Sequence, residues 1–414
     1  MDIQTLLLYI SLFIALFFEV FLLITYLEVY DELSFEEKHI GTNIEKFPSV
    51  TIIVPCLNEE RTIQKTLKSL LHLDYPKDKL SIITVDDGST DGTLRKLNGF
   101  KKHPQISVLS KKNGGKHTAL NLALEKINSD LVGCLDADSF VNPETLRKII
   151  PFFDDLSVMA VTPSIKVHEP KSILQYAQKI EYSWGIFLRR MLSSIGALYV
   201  TPGPFSIFRT RVFKELGDYR HGHHTEDMEL ALRMQKNHYK IVNSHMAHVY
   251  TSTPAQLPAL YKQRVRWTYG FLNNAIDYRE MFFNKKYGHI GMFILPIATS
   301  SIFSTLYIIG KVFWANLMRV YDFFVRIQTI GFDLDISRLS FDWFFFNTGI
   351  VPFLTLSVTM LSLLLLYLAI KLAEGKVRFS KGILYYLVFY VFIVPLWLTK
   401  AVLNTIFKKQ ISWR

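Results

Sequence analysis

A chain of 414 residues with a net charge of +11, half hydrophobic and 14% aromatic, is too long for one small core and unusually apolar for a soluble protein. Its mean hydropathy of +0.19 is too low for a chain buried in lipid throughout. A soluble block joined to membrane spans fits both limits, and the lack of a nucleic-acid-binding motif sets aside a nucleic-acid partner despite the basic balance.

Residues 3–27 are apolar apart from Glu19 and long enough to cross a hydrocarbon core of about 30 Å. With no basic leader and no small-residue cleavage site they read as an anchor, not a signal peptide. Residues 29–49 form a polar, acidic linker. The β-branched run at 49–54 predicts a strand stopped by Pro55, and Ile63, Leu67, Leu70 and Leu71 carry helical spacing over 60–72. A second strand at 80–85 ends in Asp86-Asp87-Gly88-Ser89-Thr90-Asp91-Gly92. A basic segment, a third strand at 106–109, and Asn113-Gly114-Gly115 opening a helix through Leu124 follow. A fourth strand at 130–135 ends in Asp136-Ala137-Asp138. Strands alternating with helices predict a mostly parallel sheet with helices on both faces, whose ligand lies beyond the carboxyl ends of the strands. Cys56 and Cys134 sit in apolar strand runs and read as reduced, packed thiols.

Residues 145–255 show a mixed pattern with no clear elements. Residues 256–288 carry cations beside Trp267, Tyr269, Phe271, Phe282 and Phe283, and read as amphipathic helices on a membrane face. Further spans are expected at 289–317, 349–370 and 382–403, with the aromatic stretch 341–347 extending the second or lying in the interface. Lys262, Arg264, Arg266, Arg279, Lys285 and Lys286 precede the first late span. Lys371, Lys376, Arg378 and Lys381 sit between the last two, which suits anionic lipid. A cytosolic domain after one span places the chain start outside, and three late spans then leave the tail outside. Lys408, Lys409 and Arg414 argue for a tail inside, so the span count stays open.

Several groups suit chemistry. Asp136 and Asp138 point to opposite faces of a regular strand, so they share a ligand only if the strand ends there, as Ser139 and Pro143 suggest. Such hard oxygens beside a diphosphate hold Mg²⁺ or Mn²⁺, although an isolated Asp-x-Asp is more often a solvated turn. The Asp86–Gly92 run is a tight turn whose carboxylates can also accept from a nucleobase or ribose. Asn113-Gly-Gly-Lys116 turns backbone N–H groups and an ammonium toward phosphate. Thr225-Glu226-Asp227 starts a helix; Thr225 suits an N-cap and the acids suit the helix dipole, or Asp227 is a general base. His221, His223 and His224 read as a polar loop, and His245 and His248 are weaker metal candidates. Gln263, Arg266 and Trp267 share one helix face, either as interfacial anchors or as part of a site, while Arg264 suits plain anchoring.

In this order, Val54-Pro-Cys-Leu-Asn-Glu59, Val85-Asp-Asp-Gly-Ser89, Asn113-Gly-Gly-Lys116, Leu135-Asp-Ala-Asp138, Thr225-Glu-Asp227 and Gln263-Arg-Val-Arg-Trp267 resemble the processive, membrane-bound members of glycosyltransferase family 2. That group includes synthases of hyaluronan, cellulose, chitin and poly-N-acetylglucosamine. The resemblance covers residues 50–270 by motif. It implies an α/β, Rossmann-like GT-A domain, cytosolic and attached to transmembrane helices of a plasma or inner membrane. The implied division is a span at 1–28, a linker at 29–49, the GT-A domain at 50–255, interfacial helices at 256–288, and spans with a basic tail at 289–414.

By the same resemblance Glu59, Asp86 and Asp87 hold the nucleobase and ribose of a nucleotide-sugar donor, most often a UDP-sugar, and Lys116 supports the nucleotide. Asp136 meets nucleotide and metal, and Asp138 binds the metal, Mg²⁺ or Mn²⁺. Asp227 is the base, beside Glu226, and Gln263, Arg266 and Trp267 frame diphosphate and acceptor. Inverting transfer to a growing β-linked polysaccharide at the bilayer follows, with room for export and for an accessory membrane subunit. Residues 201–209, with two prolines, stand where the family carries a Gly-containing acceptor loop and point to a different acceptor. The competing readings are transfer of one sugar to a lipid-linked acceptor, and a non-catalytic lipid-binding protein with solvated acids.

Overall fold

The computed structural model describes residues 2–41, 44–331, 349–376 and 380–409. The stretch 341–347, Arg378 and Arg414 lie outside these. The described chain divides into two units, one drawn from 1–23 and 297–365, the other from 24–296 and 366–414.

In chain order the elements are α1 (Ile3–Glu28), α2 (Tyr30–His39), β1 (Val50–Cys56), α3 (Ile63–Leu71), β2 (Leu80–Asp86), α4 (Thr93–Asn98), β3 (Ile106–Ser110), α5 (Lys116–Leu124), β4 (Leu131–Cys134) and β5 (Ser139–Val141). Then come β6 (Val158–Val167), α6 (Ile173–Ser194), β7 (Ile207–Arg209), α7 (Arg211–Leu216), α8 (Glu226–Lys236), β8 (Lys240–Thr251), α9 (Leu257–Asp277), α10 (Leu295–Ile330), α11 (Ile350–Glu374) and α12 (Lys381–Ile406).

One eight-stranded sheet runs β3-β2-β1-β4-β7-β6-β8-β5. The first four strands are parallel neighbours; β7 is antiparallel to β4 and β6, and β5 antiparallel to β8. Branched side chains at Val50, Ile52 and Val54 are buried with Leu80, Ile82, Leu131 and the α3 face Ile63, Leu67 and Leu70. This buried cluster holds the carboxyl ends of β1, β2 and β4 in one row, where the acidic turns lie.

Pro55 does not stop β1. Its neighbour Cys56 points its carbonyl at β2, accepting from Asp87 N at 2.8 Å, so the proline nitrogen faces the β4 side. The β1–β4 pairing ends at Ile53↔Cys134, and a missing N–H beyond it breaks no ladder bond. The expected linker also differs, because α2 occupies ten residues of it. Two of its acids are tied to the sheet domain: Arg190 of α6 donates to exposed Glu32 at 2.7 Å and to buried Glu36 at 3.1 Å, and His245 of β8 lies 2.9 Å from Glu36.

Residues 256–288 hold α9 and two short 3₁₀ turns. α9 buries Leu260, Arg264, Val265, Tyr269 and Leu272 and packs on α12 and α8. Among the described residues four helices, at Ile3–Glu28, Ile290–Thr329, Ile350–Glu374 and Lys381–Ile406, are long and apolar enough to cross a bilayer. The first late helix outruns its expected end at residue 317. Arg319, Asp322 and Arg326 lower hydropathy there, but the two arginines are good helix formers and the helix continues through them. Within the smaller unit, Ser362 of α11 donates to Glu19 of α1, and Tyr307 Oη donates to the Gln4 carbonyl at 2.5 Å. Glu19 is therefore hydrogen-bonded inside its apolar helix, as an acid in a span must be.

Arg190→Leu is expected to destabilise the larger unit by about 3–5 kcal/mol, because it leaves buried Glu36 without its cation. The midpoint of urea unfolding in detergent checks this; an unchanged midpoint would show that α2 contributes nothing to the domain.

Candidate active site

The site assembles where β1, β2 and β4 end. The β4 strand stops at Cys134 and the chain turns, with Ser139 N donating to the Asp136 carbonyl at 3.0 Å. That break in strand geometry frees Asp136 and Asp138 from opposite faces. Lys116, the first residue of α5, reaches across to Asp136 Oδ1 at 2.6 Å and to Glu226 Oε1 at 3.1 Å. Burial acts to lower the Lys116 pKa, but Asp136 and then Glu226 outweigh it and hold the ammonium well above its ordinary value. Lys116 stays charged at any physiological pH.

Asp227 follows Glu226 in the first turn of α8. Its Oδ1 accepts from Met228 N at 2.9 Å and its Oδ2 from Gly203 N at 3.3 Å. Burial, then repulsion from Glu226, pushes its carboxyl up to about 6. Thr201 Oγ1 donates to the Asp227 carbonyl at 2.8 Å, so the loop from 201 to 206 is laced to the start of α8. Thr225 is not the side-chain cap its position suggested. It donates to the Gly222 carbonyl at 2.9 Å and accepts from Asn274 of α9 at 2.9 Å.

Asp138 is pushed up to about 7 by burial, then by Asp136 and Glu59. Glu59 accepts from Thr62 Oγ1 at 2.8 Å. Asp86 and Asp87 are only 2% and 3% exposed. Asp87 accepts from Lys111 Nζ at 2.8 Å, Gly114 N at 3.1 Å and Gly115 N at 2.9 Å, while Asp86 accepts from Ser110 Oγ at 3.3 Å and Ser89 N at 3.4 Å. Asp87 thus shapes the Asn113-Gly-Gly turn that delivers Lys116, while Asp86 ties the end of β3 to its own turn.

Gln263, Arg266 and Trp267 lie on α9. Arg266 donates to the His224 carbonyl at 3.3 Å, beside the start of α8, and Trp267 is exposed. Arg264 is not a lipid anchor. It is buried, donates to Glu181 of α6 at 2.6 Å and lies 4.2 Å over the Trp267 ring. Glu181 also accepts from Tyr390 of α12 at 2.8 Å. His221, His223 and His224 form a turn, with His223 paired to Asp277 at 2.8 Å, and His248 is half-buried in β8. No cluster of three or more His, Cys, Asp or Glu suited to a metal occurs among the described residues.

Sequence reasoning missed Lys111, Glu181 and Gly203. Lys111 lay in a basic segment, and Gly203 between two prolines that drew attention instead. A Cβ at Gly203 would stand 2.7 Å from Lys116 Nζ and 3.3 Å from both Asp136 oxygens. The glycine, flanked by two prolines, lets this loop close on the Lys116–Asp136 pair.

Gly203→Ala is expected to displace Lys116 and lower turnover by about 100-fold, since a 1 Å misplacement at a reacting centre has that scale, with the unfolding midpoint unchanged. Steady-state rates beside thermal melts test this; wild-type turnover would show that the loop has slack.

Residues 48–270 match the model of the glycosyltransferase like family 2. The chain is 28% identical over 315 residues to a poly-β-1,6-N-acetyl-D-glucosamine synthase of Staphylococcus epidermidis, covering 75% of this chain and 73% of the relative. It is 31% identical over 256 residues to the synthase of the same name from Staphylococcus aureus strain COL, covering 61% of each. Among solved structures, the mannosyltransferase PcManGT of Pyrobaculum calidifontis, in complex with GDP-Man and Mn²⁺, aligns with a TM-score of 0.58 at 19% identity, over 96% of this chain and 99% of that one. That likeness extends the shared fold across the GT-A sheet and the candidate spans. With the family match spanning the sheet, the acidic turns and the Gln-x-x-Arg-Trp helix, the chain belongs to glycosyltransferase family 2.

Proposed function

We propose that this protein transfers N-acetylglucosamine from UDP-N-acetylglucosamine, with inversion, to a growing β-linked polysaccharide at the membrane. The observation that carries the reading is the joining of Lys116, Asp136, Glu226 and Asp227 at one point beside the strand ends. The staphylococcal relatives support the choice of sugar and polymer. The four apolar helices support a membrane setting, and a donor made in the cytosol requires the sheet domain to face it.

In this reading an acceptor hydroxyl attacks the anomeric carbon opposite the diphosphate. The new C–O bond forms as the bond to the phosphate oxygen breaks, and the electron pair leaves on the nucleoside diphosphate. Asp227 takes the hydroxyl proton. Lys116 and Arg266 offset the negative charge growing on the leaving group. An α-linked donor thus gives a β-linked product without a covalent intermediate.

Asp136 and Asp138 fit a divalent cation. They supply two hard oxygens, and the crowding that drives Asp138 up to about 7 is what a cation relieves. Mg²⁺ in particular is commonly held by one or two carboxylates with substrate phosphates completing the shell, so two acids suffice without a larger cluster. When bound, the cation supplies Lewis-acid stabilisation of the diphosphate.

Purified protein in detergent with UDP-N-acetylglucosamine and Mg²⁺ or Mn²⁺ is expected to release UDP and yield a polymer ladder by mass spectrometry. Chelation is expected to stop both. A product of one sugar on lipid would move the assignment to a lipid-linked acceptor, and absence of UDP release with any common donor would end it. Asp227→Asn is expected to keep UDP binding and lose about 10²–10⁴-fold in turnover. Because only the ionised carboxylate is a base, wild-type turnover is expected to rise as pH climbs through about 6 and level off above it. A profile flat from pH 5 to 8 would remove Asp227 from the role.

A further inference from the structure

Arg264 of α9 is buried, and three groups surround its guanidinium. Nη2 donates to Glu181 Oε2 at 2.6 Å, Nη1 donates to Gln263 Oε1 at 3.1 Å, and the guanidinium carbon lies 4.2 Å over the Trp267 ring. A buried ion pair is seldom more stabilising than packed apolar side chains of the same volume, and its best-attested use is to fix register. Here the cation touches two of the three side chains on the face that bears Gln263, Arg266 and Trp267.

Gln263 is the more informative of the two. Its amide has two ends of like shape and opposite hydrogen bonding. A guanidinium carries donors only, so the end that faces Arg264 must be the carbonyl oxygen, and the NH₂ is left for a ligand. A donor there suits the hydroxyl and acetamido oxygens of a sugar. Without Arg264 the amide is free to turn and present either end. The cation over Trp267 likewise ties the tilt of that ring to the guanidinium.

Arg264 is in turn placed from outside α9. The Glu181 oxygen that accepts from it also accepts from Tyr390 Oη at 2.8 Å. Tyr390 is buried in α12, with its ring 5.0 Å from Tyr386 and 5.9 Å from Trp397. α12 packs on both α6, which carries Glu181, and α9, and all three belong to the larger unit. The Glu181 carboxylate therefore cannot turn without breaking two hydrogen bonds, and Arg264 cannot follow it without releasing Gln263.

We infer that Glu181 and Tyr390 are positioning residues for the sugar acceptor: through Arg264 they hold the Gln263 amide with its donor outward and fix the Trp267 ring, so that a helix of bilayer length sets the acceptor end of the site. The inference rests on the proposed function only in naming the sugar acceptor.

The test uses the full-length protein in detergent with UDP-N-acetylglucosamine, Mg²⁺ and a short β-linked N-acetylglucosamine oligosaccharide as acceptor. Tyr390→Phe removes one hydroxyl and little volume. It is expected to raise the acceptor KM roughly three- to tenfold, with the donor KM, UDP affinity and melting temperature at wild-type values. Arg264→Lys keeps the charge without the fork that spans Glu181 and Gln263, and is expected to raise the acceptor KM by about tenfold or more. Tyr386→Phe, which removes the neighbouring phenol and leaves the Tyr390–Glu181 bond intact, is expected to keep wild-type constants. A second readout needs no turnover. In protein labelled with 5-fluorotryptophan, the Trp267 resonance, assigned by Trp267→Phe, is expected to move in Tyr390→Phe and to stay in place in Tyr386→Phe. A Trp267 resonance unmoved by Tyr390→Phe, an unchanged acceptor KM, or acceptor and donor constants that worsen together would each overturn the inference. If wild-type protein turns over no UDP-N-acetylglucosamine while the Trp267 resonance still answers to Tyr390, the sugar-transfer reading falls and the coupling of Tyr390 to the Gln263 and Trp267 face stands.

Discussion

One ammonium joins parts of the chain that would otherwise repel. Asp136 leaves the end of β4, Glu226 opens α8, and Lys116 at the start of α5 touches both. Remove its charge and two carboxylates face each other in a poorly solvated space. The surrounding parts serve its placement. Asp87 braces the turn that precedes it, Lys111 neutralises Asp87, and Gly203 leaves the space its Nζ occupies. Asp87 therefore acts on the site through the backbone of residues 114 and 115.

The balance around this ammonium remains acidic. Asp138 and Asp227 are both driven upward, each first by burial and then by neighbouring acids. Their leading acidic neighbours differ, Asp136 for Asp138 and Glu226 for Asp227, while Asp136 also raises Asp227. In the proposed function that difference assigns the cation to the Asp138 end and the proton to the Asp227 end of one acidic cluster. It follows from where β4 breaks and where α8 begins, not from any difference in residue type.

Much of this was legible from residues alone in the first half of the sheet. Parallel strands buried on both faces must be nearly continuous apolar runs, and β1, β2 and β4 are largely such runs, each ending at a polar turn. The second half was not legible. β7 has three residues, and β5 pairs with β8 across 112 positions, with Ser139 opposite Thr251, so neither periodicity nor a hairpin turn announces them. α2 was hidden because its acids resemble a solvated linker until Arg190 is seen beside them. Among site residues, the acids declared themselves by clustering at strand ends. Glycine at 203 and glutamate at 181 did not, since their importance lies in what stands next to them in space.

The hydrogen bonds of Glu181 bear on how sequence variation in this protein is read. A five-residue string on α9 looks self-contained, yet Arg264 within it is held by a residue 83 positions earlier, and that residue is held by Tyr390, 209 positions beyond it. Positions 181 and 390 belong to no motif, and one lies in a helix most readers would dismiss as lipid filler. A genetic lesion at either would loosen the string without altering a letter of it. The unit of inheritance that matters for this box is therefore a triad scattered over half the gene.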